Sequence, residues 1–353
     1  MSRFINSRLG QLEEYVPGEQ PRDMQYIKLN TNEFPYPPAP TVLERINTDE
    51  VAALRLYSDP TVRTLREKIA AHYQTSPENV FVGNGSDEVL NFAFLAFGTD
   101  GVRFADITYG FYPVFAALYD LPVAIAPLRQ DFTVDPADYI GCGQMAVLAS
   151  PNAPTGLCLQ KADVIKILES NPDHVVVIDE AYVDFGAESM VDLTKTHENL
   201  LVVSTFSKSR ALAGARVGFG IGDAALIRDL NRIKNTTNPY NINRLSMAAA
   251  EAAMDSQSYY DAKIRELKST REHTKEALRE MGFFVTDSLA NFLFAAHETI
   301  GGQALYEALK NRGILVRHFS APRIDGFVRI TIGTPQQMEI LLGQIKEILE
   351  NGG

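Results

Sequence analysis

The residue with the clearest chemical potential in this sequence is Lys208, which stands in a polar turn between apolar stretches. The run Leu201–Val203 is typical of a buried strand, and Ser204–Ser207 leads from it into the turn. Small and apolar residues follow, so burial beside the backbone favours the neutral amine. A neutral amine attacks carbonyl groups, which predicts Schiff-base chemistry with an aldehyde. An isolated lysine of this kind is usually a surface residue, so the prediction depends on its neighbours.

Asp179 follows the apolar run Val175–Ile178, at the end of a second predicted strand. A carboxylate in that position is partly buried, and a buried carboxylate normally has a positively charged partner. A protonated ring nitrogen would serve, and Tyr182 is near enough in sequence to donate its phenol to the same ligand. The alternative for Asp179 is a helix N-cap.

Two other strand ends carry polar groups. Residues 83–86 (Gly-Asn-Gly-Ser) offer glycine amides and a helix N-terminus, which together form an anion site, with Ser86 as the expected N-cap. Asn152 lies between two prolines, where a rigid backbone would aim its amide; the alternative is a simple turn. Ligands of open α/β sheets bind beyond the carboxyl ends of the strands, so we expect these groups to surround Lys208.

The elements that must position these groups alternate between strand and helix from about residue 79 to residue 235. This pattern predicts an α/β fold with a doubly wound parallel or mixed sheet. Long helices are predicted over 240–282, and an α+β unit follows with strands at Ala290–Ala295, Ile314–Val316 and Phe327–Ile332. We therefore expect an N-terminal arm (1–30), a large domain (31–240) and a small C-terminal domain (241–353).

Composition excludes several functional classes. The 353 residues carry a net charge of −11 with no basic run, which argues against a nucleic-acid or anionic-membrane partner. No signal peptide or membrane-length apolar run is present, so we expect a cytoplasmic protein. Cys142 and Cys158 lack a metal-type spacing, and the six histidines are scattered, which predicts no metal site.

The motifs, in their order along the chain, resemble those of the fold-type I aminotransferases that depend on pyridoxal phosphate. The resemblance lies in SPNAPTG around Asn152, IDEAY from Asp179 to Tyr182, TFSKSR around Lys208 and VRITIGT around Arg329. Within that family, YVPG, LNTNEFPYPP, LYSDP, GNGSDE and TYGFY are similar to the histidinol-phosphate aminotransferases. The resemblance spans Tyr15 to Thr334 and implies the family's large and small domains.

The resemblance also implies roles for individual residues. Lys208 would hold the cofactor as a Schiff base and move a proton, Asp179 would keep the ring nitrogen protonated, and Tyr182 would tune the ring oxygen. The implied cofactor ligands are Gly85, Ser86, Asp87, Tyr109, Asn152, Asp179, Tyr182, Thr205, Ser207, Lys208 and Arg216, with Tyr57 reaching the phosphate from the other subunit of a homodimer. The implied substrate ligands are Arg329, Asn32, Tyr109 and, from the neighbouring subunit, Tyr15.

The sequence motifs indicate the type of reaction more closely than they indicate the substrate. Phe34, Ala153 and Ile107 depart from the family's usual residues, and Phe34 and His318-Phe319 are expected near the substrate. The leading interpretation is transamination of L-histidinol phosphate with 2-oxoglutarate. An aromatic amino-acid aminotransferase and a threonine-phosphate decarboxylase are the enzyme alternatives. A pyridoxal-phosphate-binding transcription regulator is disfavoured, because the acidic chain lacks an N-terminal DNA-binding domain.

Overall fold

In a computed structural model of the protein, the structure describes Leu9, Leu12, Glu13 and residues 15–350. The α-helices, in chain order, are α1 Pro40–Arg45, α2 Thr48–Ala52, α3 Arg63–His72, α4 Ser86–Phe97, α5 Phe111–Tyr119, α6 Lys161–Ser170, α7 Ala224–Thr237, α8 Arg244–Met254, α9 Gln257–Glu280, α10 Gly302–Asn311 and α11 Pro335–Glu350. The strands are β1 Ile27–Lys28, β2 Val80–Gly83, β3 Val102–Ala105, β4 Val123–Ala126, β5 Met145–Ala149, β6 Val176–Asp179, β7 Leu200–Thr205, β8 Gly218–Gly222, β9 Phe283–Val285, β10 Phe292–His297, β11 Ile314–Leu315, β12 Arg317–His318 and β13 Phe327–Thr331.

Seven strands form the large sheet, in the order β2-β8-β7-β6-β5-β3-β4. All neighbouring pairs are parallel except those of β8, which runs antiparallel to β2 and β7. Every residue of β5, β6 and β7 is buried, as expected for central strands covered on both faces. The predicted doubly wound mixed sheet is confirmed.

Helices cover both faces of this sheet. On one face, Val89 and Leu90 of α4 and Leu230 of α7 pack in one apolar cluster. On the other, Leu65 of α3 and Ile167 of α6 belong to a second cluster that continues into the C-terminal part. Burial of these apolar side chains is the main force that holds the sheet between its helices.

The C-terminal part has its own antiparallel sheet, in the order β12-β13-β10-β9. Strand β1 pairs in parallel with β11, with Ile27 opposite Ile314. The segment that precedes the large sheet in sequence is therefore attached to the C-terminal part. The two sheets fall on either side of residue 240, and the domain division itself stays a prediction. Among the described residues, no helix is long and apolar enough to cross a bilayer.

The main differences from the predicted elements have local causes. Strand β8 was not predicted because its sequence Gly-Phe-Gly-Ile-Gly is rich in the residue most depleted in strands. Helix α3 begins at Arg63, directly after Val62, which adopts a left-handed conformation with φ of 50°. The predicted strand Ile314–Val316 is observed as β11, which ends at Leu315 and pairs with β1. The separate strand β12, which was not predicted, follows it and pairs with β13.

Candidate active site

A cavity lies at the carboxyl ends of β5, β6 and β7. It holds about 560 Å³ of space between atoms, part of which is open to solvent. Its lining includes most of the predicted cofactor ligands: Ser86, Asp87, Tyr109, Asp179, Tyr182, Thr205, Ser207, Lys208 and Arg216. Residues that are far apart in sequence meet here because parallel strands bring their carboxyl ends to one edge of the sheet.

Lys208 lies in the turn after β7 and is half-buried. Its amine is 3.5 Å from the carbonyl oxygen of Thr31 and 5.6 Å from the centre of the Tyr182 ring. Within the part of the chain that the structure describes, no carboxylate forms an ion pair with it. The amine is therefore held at the cavity by weak contacts that a Schiff base could replace.

Asp179 is the last residue of β6 and only 6% exposed. Its carboxylate accepts hydrogen bonds from the Tyr112 hydroxyl (2.9 Å) and from the Ala181 amide (3.1 Å). Burial raises the pKa of Asp179 to about 6, and these hydrogen bonds only partly oppose that rise. No described cationic side chain contacts the carboxylate, so a positive charge on a ligand would match it. Tyr112 is the last residue of the TYGFY motif, but it was not among the residues predicted to belong to the site.

An anion cradle lies at the start of α4. Gly85 precedes the helix with φ of +77°, and a Cβ atom built there would lie 2.4 Å from Nη2 of Arg216. A Cβ atom on Gly218 would lie 2.2 Å from the amide nitrogen of Ser86. The two glycines thus allow β8, the helix N-terminus and Arg216 to come together. The prediction that Ser86 is the N-cap is wrong, because Gly85 holds that position and Ser86 is the first helical residue.

Side chains around the cradle connect it to an aromatic ring. Arg216 donates to Asp87 at 2.8 Å and approaches the Ser207 hydroxyl at 3.5 Å. Asp87 also accepts a hydrogen bond of 2.7 Å from the Tyr109 hydroxyl. Burial and the Asp87 charge raise the pKa of Tyr109, so its phenol stays protonated. Tyr109 is thereby held in place as an uncharged side chain that lines the cavity. The Thr205 hydroxyl accepts a hydrogen bond of 3.1 Å from the Ser207 amide, which shapes the turn.

Asn152 is buried but does not line this cavity. Its amide group donates to the Ile107 carbonyl (2.9 Å) and its oxygen accepts from Thr108 (2.8 Å). The structure therefore uses this amide within the protein, and its role toward a ligand stays a prediction. Tyr182 does line the cavity, and its hydroxyl accepts a hydrogen bond of 2.9 Å from Asn32.

A second, larger cavity of about 1580 Å³ opens from the first and shares Tyr109, Tyr182 and Lys208 with it. Arg329 lines this space between the rings of Phe292 (5.3 Å) and Phe319 (5.7 Å). Its Nη2 donates to the Asn30 carbonyl at 3.1 Å, and its Nε has no hydrogen-bond partner. Burial lowers the pKa of Arg329.

None of the described carboxylates forms an ion pair with Arg329. The guanidinium is therefore left for a ligand anion. Arg317 was not among the predicted site residues, although it lies directly opposite Arg329 in the pairing of β12 with β13 and lines the same cavity. The signal that could have found it is the pair of arginines on two short strands joined by one loop.

Three aromatic predictions need correction or stay untested. Tyr15 contacts Phe111 at 4.3 Å in its own chain and lines its own cavity, and its expected contribution to the site of a neighbouring subunit stays a prediction. Phe34 was expected near the substrate, but it is buried against Tyr36 and Phe185. Tyr57 lies outside both cavities, 79% exposed. Its contact with another subunit stays a prediction. Phe319, by contrast, lines the larger cavity as expected.

This combination of fold and site defines a class. Residues 24–345 match the family model of class I and II aminotransferases, and the chain belongs to that family. A protein named histidinol-phosphate aminotransferase 1 from Bordetella parapertussis is 51% identical over 99% of this chain and all of its own length. Histidinol-phosphate aminotransferase of Clostridium acetobutylicum is 47% identical, with the same coverage. The solved histidinol-phosphate aminotransferase of Sinorhizobium meliloti, in complex with pyridoxal 5′-phosphate, has the same fold, with a TM-score of 0.89 at 21% identity over 99% of both chains.

The cofactor of this family is pyridoxal phosphate, and the residues present fit it. Among the described residues, no cationic side chain contacts the buried Asp179 carboxylate, which leaves it free to pair with a protonated pyridine nitrogen. The amide of Ser86 and the Arg216 guanidinium meet at a cradle that added Cβ atoms would fill. The Lys208 amine faces the same cavity. The site therefore contains hydrogen-bond donors for a phosphate, an acid for a ring nitrogen and an amine for an aldehyde.

Proposed function

We propose that the protein transfers the amino group of L-histidinol phosphate to 2-oxoglutarate, giving imidazole acetol phosphate and glutamate. One observation carries the proposal: an amine, Lys208, and a guanidinium without a carboxylate partner, Arg329, face one continuous cavity. The full-length identity with proteins named histidinol-phosphate aminotransferase supports this choice of substrate.

The residues of the first cavity have separate tasks in this proposal. Lys208 would hold the cofactor aldehyde and, when its amine is free, would carry a proton to and from the substrate carbon. Asp179 holds the positive charge of the ring nitrogen. When bound, pyridoxal phosphate supplies an electron sink for the bond that is broken. Tyr182 donates to the ring oxygen, and Tyr109 packs against the ring face.

The phosphate of the cofactor is assigned to the anion cradle. The amides of Gly85 and Ser86 combine the unpaired donors of a helix N-terminus with the favourable end of its dipole. Ser207 and Arg216 add side-chain donors, and the guanidinium makes the stronger, charge-assisted bonds. Asp87 orients Arg216 through their ion pair of 2.8 Å.

The substrate anion is assigned to Arg329, with Arg317 beside it. A guanidinium binds either a carboxylate or a phosphate through paired hydrogen bonds, so one residue suits both glutamate and a phosphate ester. Asn32 and Tyr15 form the wall next to these groups. Asn32 is 1% exposed and takes up a left-handed conformation with φ of 55°, which asparagine tolerates.

A homodimer and a cytoplasmic location belong to the same proposal. Exposed apolar side chains are grouped in the stretch of sequence that leads to Tyr57, namely Leu43 of α1, Val51 of α2, and Leu54 and Leu56 in the turn after them. A cluster of this kind marks an interaction surface. If a second copy of the chain covered this surface, Tyr57 would lie next to the cofactor phosphate of that second copy.

A second candidate is an aromatic amino-acid aminotransferase, favoured by the rings of Tyr15, Tyr109 and Phe319 on the cavity wall. The deciding experiment is a single-turnover half-reaction of the cofactor-loaded protein with L-histidinol phosphate, L-phenylalanine or O-phospho-L-threonine, followed by visible absorbance. We expect rapid conversion with histidinol phosphate, slow conversion with phenylalanine and no reaction in Lys208→Ala. Equal rates with phenylalanine, or release of carbon dioxide from phosphothreonine, would refute the substrate assignment.

A further inference from the structure

Tyr182 and Lys208 stand on separate segments that leave the large sheet at the ends of β6 and β7. The Lys208 amine lies 5.6 Å from the centre of the Tyr182 ring, and both groups line the same cavity. A ligand held by the amine and contacted by the phenol requires a fixed distance between them. Contacts between the two segments must set this distance.

A side-chain hydrogen bond joins the segments directly beside both groups. Ser209 follows Lys208 in the chain, and Asp184 lies two positions after Tyr182. The Ser209 hydroxyl donates to the Asp184 carboxylate, and we refer to this contact as the Ser209–Asp184 link. Ser209 is only 3% exposed, so water does not compete for the hydroxyl. A hydroxyl-to-carboxylate bond is also stronger than one between neutral groups.

The link faces away from the active cavity. Ser209 and Asp184 line a separate small cavity together with Arg210, whereas Lys208 and Tyr182 do not line it. Arg210 is 5% exposed and its Nη2 donates to Gln257 of α9 at 2.8 Å. Substitution at the link therefore changes how the two segments are held without removing any group that lines the active cavity.

The Glu180 amide donates to the Val203 carbonyl at 2.7 Å, which joins the two segments at the edge of the sheet, ahead of the turn that carries Lys208. The main chain of that turn is closed by hydrogen bonds from Ala211 to Lys208 (3.2 Å) and from Leu212 to Phe206 (3.1 Å). Both bonds lie within the turn, so they shape it without fixing its position against the Tyr182 segment. The Ser209–Asp184 link supplies that second constraint.

We propose that Ser209 and Asp184 are positioning residues that set the distance between the Tyr182 phenol and the Lys208 amine. This inference rests on the proposed function, in which the phenol donates to the cofactor's ring oxygen. That hydrogen bond stabilises the negative oxygen and so favours loss of the proton from the lysine-bound cofactor. Without the link the bond weakens, and the cofactor retains its proton to a higher pH.

The test is a pH titration of the visible absorbance of the cofactor-loaded protein. In Ser209→Ala we expect the midpoint to rise by about 0.5 pH unit or more, and in Ser209→Thr to return toward the wild-type value. The matched control is Ser189→Ala, which removes a serine-to-carboxylate bond of 2.7 Å on the same segment, to Glu180. Its midpoint should equal that of the wild type, because Ser189 is not joined to the Lys208 turn.

A second set of variants shows whether the link acts through Tyr182. In a Tyr182→Phe background, Ser209→Ala should cause no further shift of the midpoint. Asp184→Asn keeps an acceptor oxygen, so it should raise the midpoint less than Ser209→Ala does. If Ser209→Ala does not fold, Asp184→Asn serves as the test variant in its place. An unchanged midpoint in Ser209→Ala and Asp184→Asn, or a full additional shift in Tyr182→Phe, would overturn the proposal. A protein that titrates as expected but does not react with histidinol phosphate would refute the proposed substrate and leave this inference intact.

Discussion

The Tyr112 hydroxyl donates a hydrogen bond of 2.9 Å to the buried carboxylate of Asp179. Tyr112 is fully buried in the cluster on one face of the sheet, so the carboxylate rests on a side chain with no freedom to move away. This bond lowers the pKa of Asp179, whereas burial raises it more, to about 6. The acid therefore changes charge near neutral pH in the cofactor-free protein.

Cofactor affinity should depend on this titration. Below about pH 6 the Asp179 carboxyl is protonated in the cofactor-free protein and cannot pair with a protonated ring nitrogen. We expect affinity for pyridoxal phosphate to fall as the pH is lowered from 7 to 5, measured by equilibrium binding. Tyr112→Phe should move this fall to higher pH. Asp179→Asn provides the reference for titration of the cofactor itself, and equal pH profiles for it and the wild type would contradict the prediction.

Arg329 should matter for both amino-group partners. Arg329→Ala removes the charge-assisted bonds to either anion, each worth about 1.5–3 kcal/mol, so we expect kcat/KM to fall by roughly 10- to 100-fold or more for histidinol phosphate and glutamate alike. Arg329→Lys should recover little, because an ammonium lacks the planar pair of donors. The measurement is the half-reaction with each partner. Loss with glutamate alone would show that the phosphate ester is held elsewhere, with Arg317 as the first candidate.

Gly218 should be required for the cofactor phosphate. An added Cβ would lie 2.2 Å from the Ser86 amide nitrogen, so Gly218→Ala must push β8 and the helix N-terminus apart. We expect a loss of about 1–3 kcal/mol in unfolding free energy and weaker binding of pyridoxal phosphate than in the wild type. Binding of pyridoxal, which has no phosphate, should change less.

Gly214→Ala is the matched control, because a Cβ at Gly214 has no atom within 4 Å and the residue lies in the same stretch between Lys208 and β8. That variant should bind pyridoxal phosphate as the wild type does. If Gly218→Ala left the preference for pyridoxal phosphate over pyridoxal unchanged, the anion cradle would not be the binding site of the cofactor phosphate.

Titration of Glu180 should lower the free energy of unfolding as the pH rises. Glu180 is 1% exposed, and burial raises its pKa to about 8 although the Met190 amide and the Ser189 hydroxyl donate to it. Between its ordinary pKa and 8 the folded protein binds more protons than the unfolded chain, so unfolding becomes easier as pH rises. The slope from this group is at most about 1.4 kcal/mol per pH unit.

Glu180→Gln removes the titration and keeps the shape. Urea unfolding of the cofactor-free protein at pH 6.5 and pH 8 should show a smaller loss of stability for this variant than for the wild type. The range lies above the pKa of about 6 of Asp179, so that neighbour contributes little to the difference. Parallel pH profiles for the two proteins would show that Glu180 is already charged when buried.

Sequence reasoning located Lys208 and Asp179 because each follows an apolar run, and the ends of parallel strands are where ligands bind. It could not find Tyr112, which reaches the site from the buried side of α5. Arg317 was missed because its relation to Arg329 arises from pairing of β12 with β13. The Ser86 error has a similar origin: the helix start is set by Gly85 and by the close approach of Gly218, and neither is a local propensity.

The outer wall of the substrate cavity is built from the two ends of the chain. The Asn32 amide donates to the Thr331 hydroxyl at 3.0 Å, across 299 residues of sequence. Since a ribosome releases the chain from its N-terminus, Asn32 emerges long before the strand that it needs. All strands of the large sheet emerge before β13, so the substrate pocket cannot be complete until β13 has also been synthesised.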